Sequence, residues 1–274
     1  MEKVANYIRR IEISSLWSGR KHIVWDLRPD VNILSGVNGV GKSTILNKLI
    51  RSLHSPGMVN GTEPMLGVKI DFEPRDANCI RFDLVRSFDR PMAHGDVLDK
   101  ITEGQIATEL DFQLYQLQRK FLDYQVNIGN RMIEMLASND PTAREAATSV
   151  AANKQRFQDI VDELFKETGK RIDRKSNEVR FLQYDEALSP YHLSSGEKQV
   201  LIILLTVLVE DCKPYVFFLD EPEASLHIEW QEKLITLIRS LNPKVQIVLT
   251  THSPAVAMDG WLDTVTEVTD ITQS

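Results

Sequence analysis

A glycine-rich segment, Gly36-Val37-Asn38-Gly39-Val40-Gly41-Lys42-Ser43-Thr44, has the residue types that bind phosphate groups. Glycines let successive backbone N–H groups approach an anion, because no Cβ blocks the way. A helix that begins directly after such a loop adds its positive dipole end at the same place. Two glycines, a lysine and a Ser/Thr at these spacings are typical of a loop that binds a nucleoside triphosphate. The predicted ligands are therefore a nucleoside triphosphate and Mg²⁺.

The chemistry of each side chain predicts its role in this loop. Lys42 is expected to reach the β- and γ-phosphates as a point charge, and the Ser43 hydroxyl is expected to bind Mg²⁺. Thr44 and the loop amides from Asn38 to Gly41 would line the remaining phosphate oxygens. The apolar segment Val31 to Leu34 before the loop predicts a buried strand, and helical spacing follows the loop.

Two acids end a second apolar segment, Val216-Phe217-Phe218-Leu219-Asp220-Glu221. A strand buried on both faces would deliver these acids at its carboxyl end, where open α/β sheets bind ligands. Asp220 is predicted to hold Mg²⁺, directly or through water. Glu221 is the candidate general base that activates the attacking water. The alternative for Glu221 is a solvated acid at a strand end.

A third segment, Leu193-Ser194-Ser195-Gly196-Glu197-Lys198-Gln199, precedes an apolar run from Val200 to Val209. Ser194 or Ser195 can cap a helix here, and the free N–H groups of its first turn can form a second anion site. The segment resembles the signature motif of ATP-binding-cassette (ABC) ATPases. That resemblance implies that Ser194, Ser195 and Gly196 complete the nucleotide site of another subunit, so that two protomers enclose two ATP molecules.

Two more segments are similar to that superfamily. Asp220-Glu221-Pro222-Glu223-Ala224-Ser225-Leu226-His227 looks like its acidic motif running into the D-loop, and Thr250-Thr251-His252-Ser253-Pro254 looks like its switch histidine. The resemblance implies that His252 contacts the γ-phosphate. The sequences of these motifs are similar to those in the branch of the superfamily that contains RecF, SMC-like and OLD-type ATPases. It implies work in DNA repair or antiphage defence.

The sequence offers several candidates for two residues of the family's nucleotide site, the Q-loop glutamine and the aromatic residue that stacks on adenine. Gln105 is the preferred Q-loop glutamine by position, and the alternatives are Gln113, Gln116 and Gln118. Trp17 and Trp25 are both available for stacking on adenine.

The resemblance implies an α/β P-loop fold with a mixed central sheet, a flanking antiparallel β layer and a short helical-hairpin insertion. We expect the antiparallel layer to contain the segments Tyr7 to Ile13, His22 to Leu27, Val68 to Phe72 and Cys79 to Arg86. Residues 1–274 are predicted to form one ATPase domain, in which residues 103–180 are a helical insertion or lid. Apolar residues recur there at steps of three and four, which predicts a long helix through Leu110, Leu114, Leu117, Phe121, Tyr124, Ile128, Met132 and Met135. A second helix follows, with Phe157, Ile160, Val161, Leu164 and Phe165 on its inward face.

The amino-acid composition restricts the kinds of partner that we expect this protein to bind. The formal net charge is −7, from 32 Lys+Arg against 39 Asp+Glu, which argues against a surface that coats nucleic acid. A local basic patch at Lys166 to Arg180 could still bind nucleic acid, and the alternative is a solvated helix end. No apolar run reaches the roughly 20 residues that span a bilayer. The two cysteines are isolated, so we expect a cytoplasmic protein without membrane contact.

The predicted function is an ATPase that dimerises, or forms a higher homo-oligomer, around ATP and couples turnover to another component. Because the chain ends at Ser274, soon after a last strand predicted near Trp261 to Val268, we expect a nuclease or toprim effector to be a separate protein. One alternative is an ATP-loaded scaffold or sensor that sequesters its effector with little turnover. Another is the nucleotide-binding subunit of a transporter. A small-molecule kinase would not explain the segment from Leu193 to Gln199.

Overall fold

The computed structural model describes residues 3–17, 20–58, 61–87, 91, 106–138 and 143–273. The chain divides into two compact units. The sheet unit comprises Met1–Ser87, Lys213–Arg239 and Pro243–Ser274, and the helical unit comprises Phe88–Cys212 and Ser240–Asn242. Whether residues 103–180 act as a lid within one ATPase domain stays a prediction.

The described residues form strands and helices that are numbered here in chain order. The strands are β1 (Tyr7–Leu16), β2 (Lys21–Asp26), β3 (Val31–Ser35), β4 (Thr62–Glu63), β5 (Val68–Glu73), β6 (Phe82–Arg86), β7 (Lys170–Ile172), β8 (Phe181–Gln183), β9 (Glu186–Leu188), β10 (Tyr215–Asp220), β11 (Val245–Thr250), β12 (Val265–Glu267) and β13 (Thr272–Gln273). The helices are α1 (Lys42–Leu53), α2 (Glu109–Ala137), α3 (Ala143–Phe165), α4 (Ser195–Val209), α5 (Ile228–Leu241) and α6 (Ala255–Met258).

A parallel sheet in the order β12-β3-β11-β10-β6 lies at the centre of the sheet unit. Every residue of β10 and β11 is buried, as the continuous apolar runs in the sequence predict for strands covered on both faces. Because the strands are parallel, β3, β10 and β11 end at the same edge of the sheet. The phosphate loop, the two acids and the segment around His252 all follow these ends.

A second, antiparallel sheet in the order β13-β2-β1-β5-β4 completes the sheet unit. One hydrophobic core joins it to the central sheet, with Ile8 and Ile11 of β1, Leu46 of α1, and Val216 and Phe218 of β10 all buried together. The predicted α/β P-loop fold with a flanking antiparallel layer is confirmed by this arrangement. The central sheet was predicted to be mixed, but all its pairings among the described residues are parallel.

One predicted member of the antiparallel layer belongs elsewhere. The segment Cys79 to Arg86 forms the shorter strand β6, which pairs in parallel with β10 at the edge of the central sheet. Its assignment to the antiparallel layer is therefore wrong. The alternation at Ile80, Phe82 and Leu84 correctly indicated a strand, but alternation does not encode the partner of a strand, which depends on contacts distant in sequence. The final strand predicted near Trp261 to Val268 is the shorter β12, Val265–Glu267, preceded by a 3₁₀ turn, and it is not the last strand, because β13 follows it.

The helical unit contains the predicted pair of long helices. α2 begins at a capping box in which the Thr108 hydroxyl accepts from the Asp111 N–H. The predicted stripe is buried from Leu110 to Ile128, but its last members, Met132 and Met135, are only partly buried. α2 and α3 pack on each other and on α4, and a small antiparallel sheet of β7, β8 and β9 completes the unit. The two helices are confirmed, whereas this three-stranded sheet was not predicted.

α4 carries the most apolar run of the sequence. Its residues from Glu197 to Leu208 are all buried, so the run belongs to the protein core, as predicted. Among the described residues, no helix combines the length and the apolar character needed to cross a membrane.

Candidate functional site

The loop from Gly36 to Gly41 connects β3 to the first turn of α1. Gly41 is the N-cap of α1, at φ 109, and no side chain caps the helix. The first turn also lacks an acidic residue, so this N-terminus can accept an anion. Val37, Asn38 and Gly39 are exposed at the tip of the loop, with Val37 77% accessible.

Lys42 is folded back onto this loop. Its Nζ donates to the carbonyl of Gly36 at 2.7 Å and approaches the carbonyl of Val37 at 3.4 Å, and the residue is only 4% exposed. The ammonium group therefore lies within the concave side of the loop, where a triphosphate would bind. Thr44, next along α1, is exposed.

Ser43 and Asp220 meet across 177 residues of sequence. The Ser43 hydroxyl donates to Asp220 Oδ1 at 2.8 Å, and the hydroxyl of Thr250, at the end of the neighbouring strand, donates to the same oxygen at 2.6 Å. Asp220 is buried. The two predicted Mg²⁺ ligands are thus brought together at the start of α1. One carboxylate and one hydroxyl are hard oxygen donors, and they suit a Mg²⁺ ion that takes its other ligands from phosphates and water.

Glu221 and His252 lie beside this pair. Glu221 has a left-handed backbone, at φ 49, and its N–H donates to the carbonyl of Thr250 at 3.0 Å. A non-glycine residue held in this region costs free energy and is found most often at functional sites. Glu221 Oε1 lies 3.7 Å from His252 Nδ1, and both side chains are partly open to solvent. The carboxylate is therefore placed to accept a proton from water at the edge that holds Asp220.

Glu223 is a member of this cluster that the sequence did not reveal. It is 4% exposed, and its Oε1 lies 3.5 Å from His252 Nδ1. The motif Asp-Glu-Pro-Glu shows the residue but not its burial. The spacing of three after Asp220 was the available signal, because a turn after a strand can bring such a side chain back towards the sheet edge.

The two candidate tryptophans have different environments. Trp25 is buried in the core, so it cannot stack on a ligand. Trp17 is 39% exposed and its ring covers the phosphate loop: a Cβ added at Gly41 would lie 2.6 Å from the ring. Lys21 Nζ lies 5.0 Å from the centre of the same ring. A cavity of about 340 Å³ next to the loop is lined in part by Arg20, Lys21 and Val40.

The Q-loop candidates are separated by their contacts. Both ends of the Gln118 amide bond the backbone of Val179, at 2.8 and 2.9 Å, so this side chain has a structural role. Gln113 and Gln116 lie on α2, and Gln105 lies outside the described residues. Beside Asp220, the chain leaves the central sheet at Ser87, whose hydroxyl approaches the Asp220 carbonyl at 3.4 Å.

The signature segment forms the N-terminus of α4. Ser194, and not Ser195, is the N-cap: its hydroxyl accepts from the Glu197 N–H at 3.3 Å, while Glu197 accepts from the Ser194 N–H at 2.9 Å. Ser194 and Ser195 are both exposed, and Gly196 is half-buried. The helix end thus presents hydroxyls and N–H groups at the surface of the helical unit.

Buried charges hold this helix end from behind. Lys170 Nζ lies 2.7 Å from Glu197 Oε1, and Lys198 Nζ lies 2.7 Å from Asp111 Oδ1; all four side chains are at most 13% exposed. Burial by itself would raise the pKa of Glu197, but hydrogen bonds from Lys170 and Ser194 outweigh it, and the pKa is lowered. Glu197 therefore stays ionised and fixes the capping box.

The basic segment from Lys166 to Arg180 is mostly neutralised by nearby acids. Five of its six basic side chains pair with carboxylates in the structure: Lys166 with Glu163, Lys170 with Glu197, Arg171 with Asp185, Arg174 with Asp159 and Asp162, and Arg180 with Glu178. Pairing of this kind reduces the positive potential available to a nucleic acid.

Comparison with known proteins places these motifs in a family. A family model described as "AAA domain, putative AbiEii toxin, Type IV TA system" matches residues 112–259. The matched range contains the signature segment, Asp220, Glu221 and His252, and the phosphate loop precedes it.

Curated relatives match to different extents. Septu protein PtuA of Bacillus thuringiensis is 23% identical over 303 residues, which cover 90% of this chain and 72% of PtuA. Phosphate import ATP-binding protein PstB 2 of Mycobacterium tuberculosis is 38% identical over 69 residues, which cover 25% of this chain and only 24% of PstB 2.

A solved structure agrees in fold. The chain is similar to the crystal structure of an Smc head bound to the C-winged helix domain of ScpA, with a TM-score of 0.54, 16% identity and coverage of 92% of this chain and 91% of that one. At this identity the likeness concerns the fold, which is that of an ABC-type P-loop ATPase.

Proposed function

Because the chain belongs to the family of AAA domains described as putative AbiEii toxin of type IV TA systems, and is an ABC-type P-loop ATPase of the SMC- and RecF-like kind, we propose that it binds and hydrolyses ATP. We propose further that two copies close around ATP and couple its turnover to a separate effector protein. Antiphage defence is the favoured setting, with DNA repair as the related one. The likeness to Septu protein PtuA over 90% of the chain supports the defence setting.

The observation that carries this proposal is the contact between Ser43 and Asp220 at 2.8 Å. It brings the first turn after the phosphate loop to the end of the strand that also bears the candidate base, Glu221. In a glycine-rich turn that does not bind phosphate, nothing would require the serine after the turn to donate to a buried acid at the ligand-binding edge of a parallel sheet.

Each residue has a distinct part in the proposed reaction. Lys42 and the loop amides hold the triphosphate, and a Mg²⁺ ion held by Ser43 and Asp220 would supply compensating positive charge. Glu221 orients the attacking water and accepts its proton, since phosphoryl transfer depends mainly on positioning and electrostatics. His252, beside Glu221, would donate to the γ-phosphate.

The signature helix supports the proposed dimer. Ser194 and Ser195 are exposed at a helix N-terminus that buried ion pairs hold in place. Hydroxyls and free N–H groups there can bind the γ-phosphate held by a second copy, because an anion is stabilised at this end of the helix dipole. Each composite site would then need residues from both protomers. We also propose that residues 1–274 act as one ATPase domain with the helical segment 103–180 as its insertion.

Two alternatives remain distinct from this proposal. The likeness to phosphate import proteins favours a transporter subunit: PstB 2 is matched over only 24% of its length, but PstB of Thermococcus kodakarensis is 25% identical over 89% of this chain and 79% of its own length. An ATP-loaded scaffold would assemble with nucleotide and release little phosphate. Binding of nucleic acid at Lys166 to Arg180 has weaker support, because five of the six basic side chains there are paired.

Phosphate release by the purified protein tests the enzyme against the scaffold. We expect Glu221→Gln to lower kcat by about 10³-fold or more while ATP still binds, because the amide cannot accept a proton from water. Glu229→Gln is the matched control, since Glu229 is an exposed acid at the start of α5. Nucleotide-dependent assembly of the wild type without phosphate release would favour the scaffold instead.

A further inference from the structure

Glu223 organises the segment that carries His252. We propose that this carboxylate is a positioning residue: it fixes the backbone of Thr251 to Ser253 so that the His252 ring is held beside Glu221. The inference rests on the proposed ATP hydrolysis and on the contact of His252 with the γ-phosphate, and it adds to them a specific residue that makes the histidine effective.

One oxygen of Glu223 gathers several donors. Oε1 accepts from the Thr251 hydroxyl at 2.5 Å, from the His252 N–H at 3.0 Å and, more weakly, from the Ser253 N–H at 3.4 Å. These are three consecutive residues at the end of β11, and His252 is the middle one. A charged acceptor makes stronger hydrogen bonds than a neutral one, and burial strengthens them further. The Glu223 carboxylate therefore fixes the conformation of the turn that bears His252.

Gln231 on α5 adds a second connection between the histidine turn and the acidic segment. Its Oε1 accepts from the Ser253 hydroxyl at 2.8 Å, and its Nε2 donates to the carbonyl of Leu226 at 2.9 Å. The segment from Glu223 to Leu226 and the segment from Thr251 to Ser253 are thus tied together at two points. Because the histidine turn is anchored to the acidic segment and not only to its own strand, a shift of one segment must move the other.

The burial of Glu223 favours a functional role over simple packing. Oε2 is buried without a hydrogen-bond partner among the described residues, and the only basic group within 4.0 Å of this carboxylate there is His252. A buried carboxylate with an unpaired oxygen costs stability. Such groups recur where strain serves a function. An apolar residue of similar size would fill the space without that cost, but it could not accept from the histidine turn.

These contacts restrict the positions that the His252 ring can adopt. The ring is about half exposed, so packing alone does not fix it. A displacement of about 1 Å at a reacting group can cost about 10²-fold in rate. Removal of the Glu223 acceptor would release the Thr251 hydroxyl and the backbone N–H of His252 at once, and the ring would lose its fixed position.

A double-mutant cycle on the full chain tests this proposal. Glu223→Ala, His252→Ala and the double variant are compared for steady-state phosphate release and for binding of a fluorescent ATP analogue. We expect Glu223→Ala to lower kcat by about as much as His252→Ala, on the order of 10²-fold, with KM and analogue affinity within about twofold. We expect the double variant to be no slower than His252→Ala, because both changes remove the same interaction.

The conservative variant separates positioning from folding. Glu223→Gln keeps one carbonyl oxygen for the three donors, so we expect it to restore at least about a third of wild-type kcat. Glu229→Ala, at an exposed glutamate nearby, is the control for loss of an acid. Losses that add in the double variant, or a Glu223→Gln variant as slow as Glu223→Ala, would overturn the inference.

The proposed function and this inference fail in different ways. A wild type that releases no phosphate overturns both. Hydrolysis that His252→Ala reduces and Glu223→Ala leaves unchanged overturns only the role of Glu223.

Discussion

The two candidate nucleotide-contacting regions are built differently. At the edge of the central sheet, side chains from distant segments contact one another: Ser43 and Thr250 both donate to Asp220. At the start of α4, the Ser194 side chain bonds Glu197 within its own capping box, and Ser194 and Ser195 are exposed. The first region is thus an assembled set of reactive groups, whereas the second is a rigid surface that presents donors outward.

Under the proposed function, this difference means that only the second region acts on nucleotide held by a second copy. The sheet edge already contains the proposed Mg²⁺ ligands, the candidate base and the histidine, so we expect a single chain to bind nucleotide there. The signature helix has buried support from Glu197 and Lys198, and the two serines at its N-terminus are exposed. A protein that keeps such a helix end rigid without using it internally is suited to act on a ligand held by another molecule.

The largest effect that we expect at the signature helix separates ATP binding from closure of the dimer. Ser194→Arg places bulk and charge at the exposed helix end, so we expect hydrolysis to fall by about 10²-fold or more while ATP affinity stays within about twofold. Ser194→Ala controls for loss of the cap, which costs about 1 kcal/mol of stability. Ser138→Arg, at an exposed serine at the end of α2, controls for the added charge. A Ser194→Arg variant that hydrolyses ATP at the wild-type rate would contradict the proposal that two protomers share each nucleotide site.

A second prediction tests the buried support of the helix end. Lys170→Met leaves the buried Glu197 carboxylate without its basic partner, so we expect a loss of about 3 kcal/mol in the free energy of unfolding at pH 7. Lys175→Met, an exposed lysine of the same segment, should change it by less than about 0.5 kcal/mol. Urea titrations followed by fluorescence and circular dichroism measure both.

The pH dependence of that loss follows from the lowered pKa of Glu197. A lowered folded-state pKa stabilises the protein above the ordinary glutamate pKa of about 4.3, and this stabilisation is lost as the pH falls through the folded-state value. The difference between wild type and Lys170→Met should therefore shrink below about pH 4. A difference that stays constant between pH 7 and pH 3.5 would mean that the pair contributes through packing alone.

The smallest expected effect concerns the base of the nucleotide. Trp17→Ala should weaken ATP binding by about 1 kcal/mol, or roughly fivefold, because an aromatic platform is lost. Inorganic tripolyphosphate has no base, so its affinity should not change. Calorimetric titration with both ligands makes the comparison, and an equal loss for both would show that Trp17 only supports the loop at Gly41.

The parts of the site that the sequence predicts are those encoded over short distances. The phosphate loop, the capping serine of α4 and the stripe of α2 depend on spacings of three to nine residues, and local sterics and hydrogen bonds fix them. The contact of Ser43 with Asp220 was predicted only because both belong to recognisable motifs.

The features that the sequence does not predict depend on the tertiary structure. β6 pairs with β10 in parallel because the chain returns to the sheet edge, and no alternation within Phe82 to Arg86 encodes that. Glu223 looks like a surface acid in the sequence, yet the turn after Asp220 buries it against Thr251. The basic segment from Lys166 to Arg180 looks like a patch until its partners, such as Asp159 and Asp185, are brought beside it.

Mixing two inactive variants tests the shared site most directly. Lys42→Ala removes the lysine within the phosphate loop but keeps a complete signature helix, and Ser194→Arg does the reverse. In a random 1:1 mixture of symmetric dimers, half are mixed and each mixed dimer retains one complete composite site, so we predict recovery of about a quarter of the wild-type rate of phosphate release. A mixture that releases phosphate no faster than the mean of the two separate variants would contradict the account.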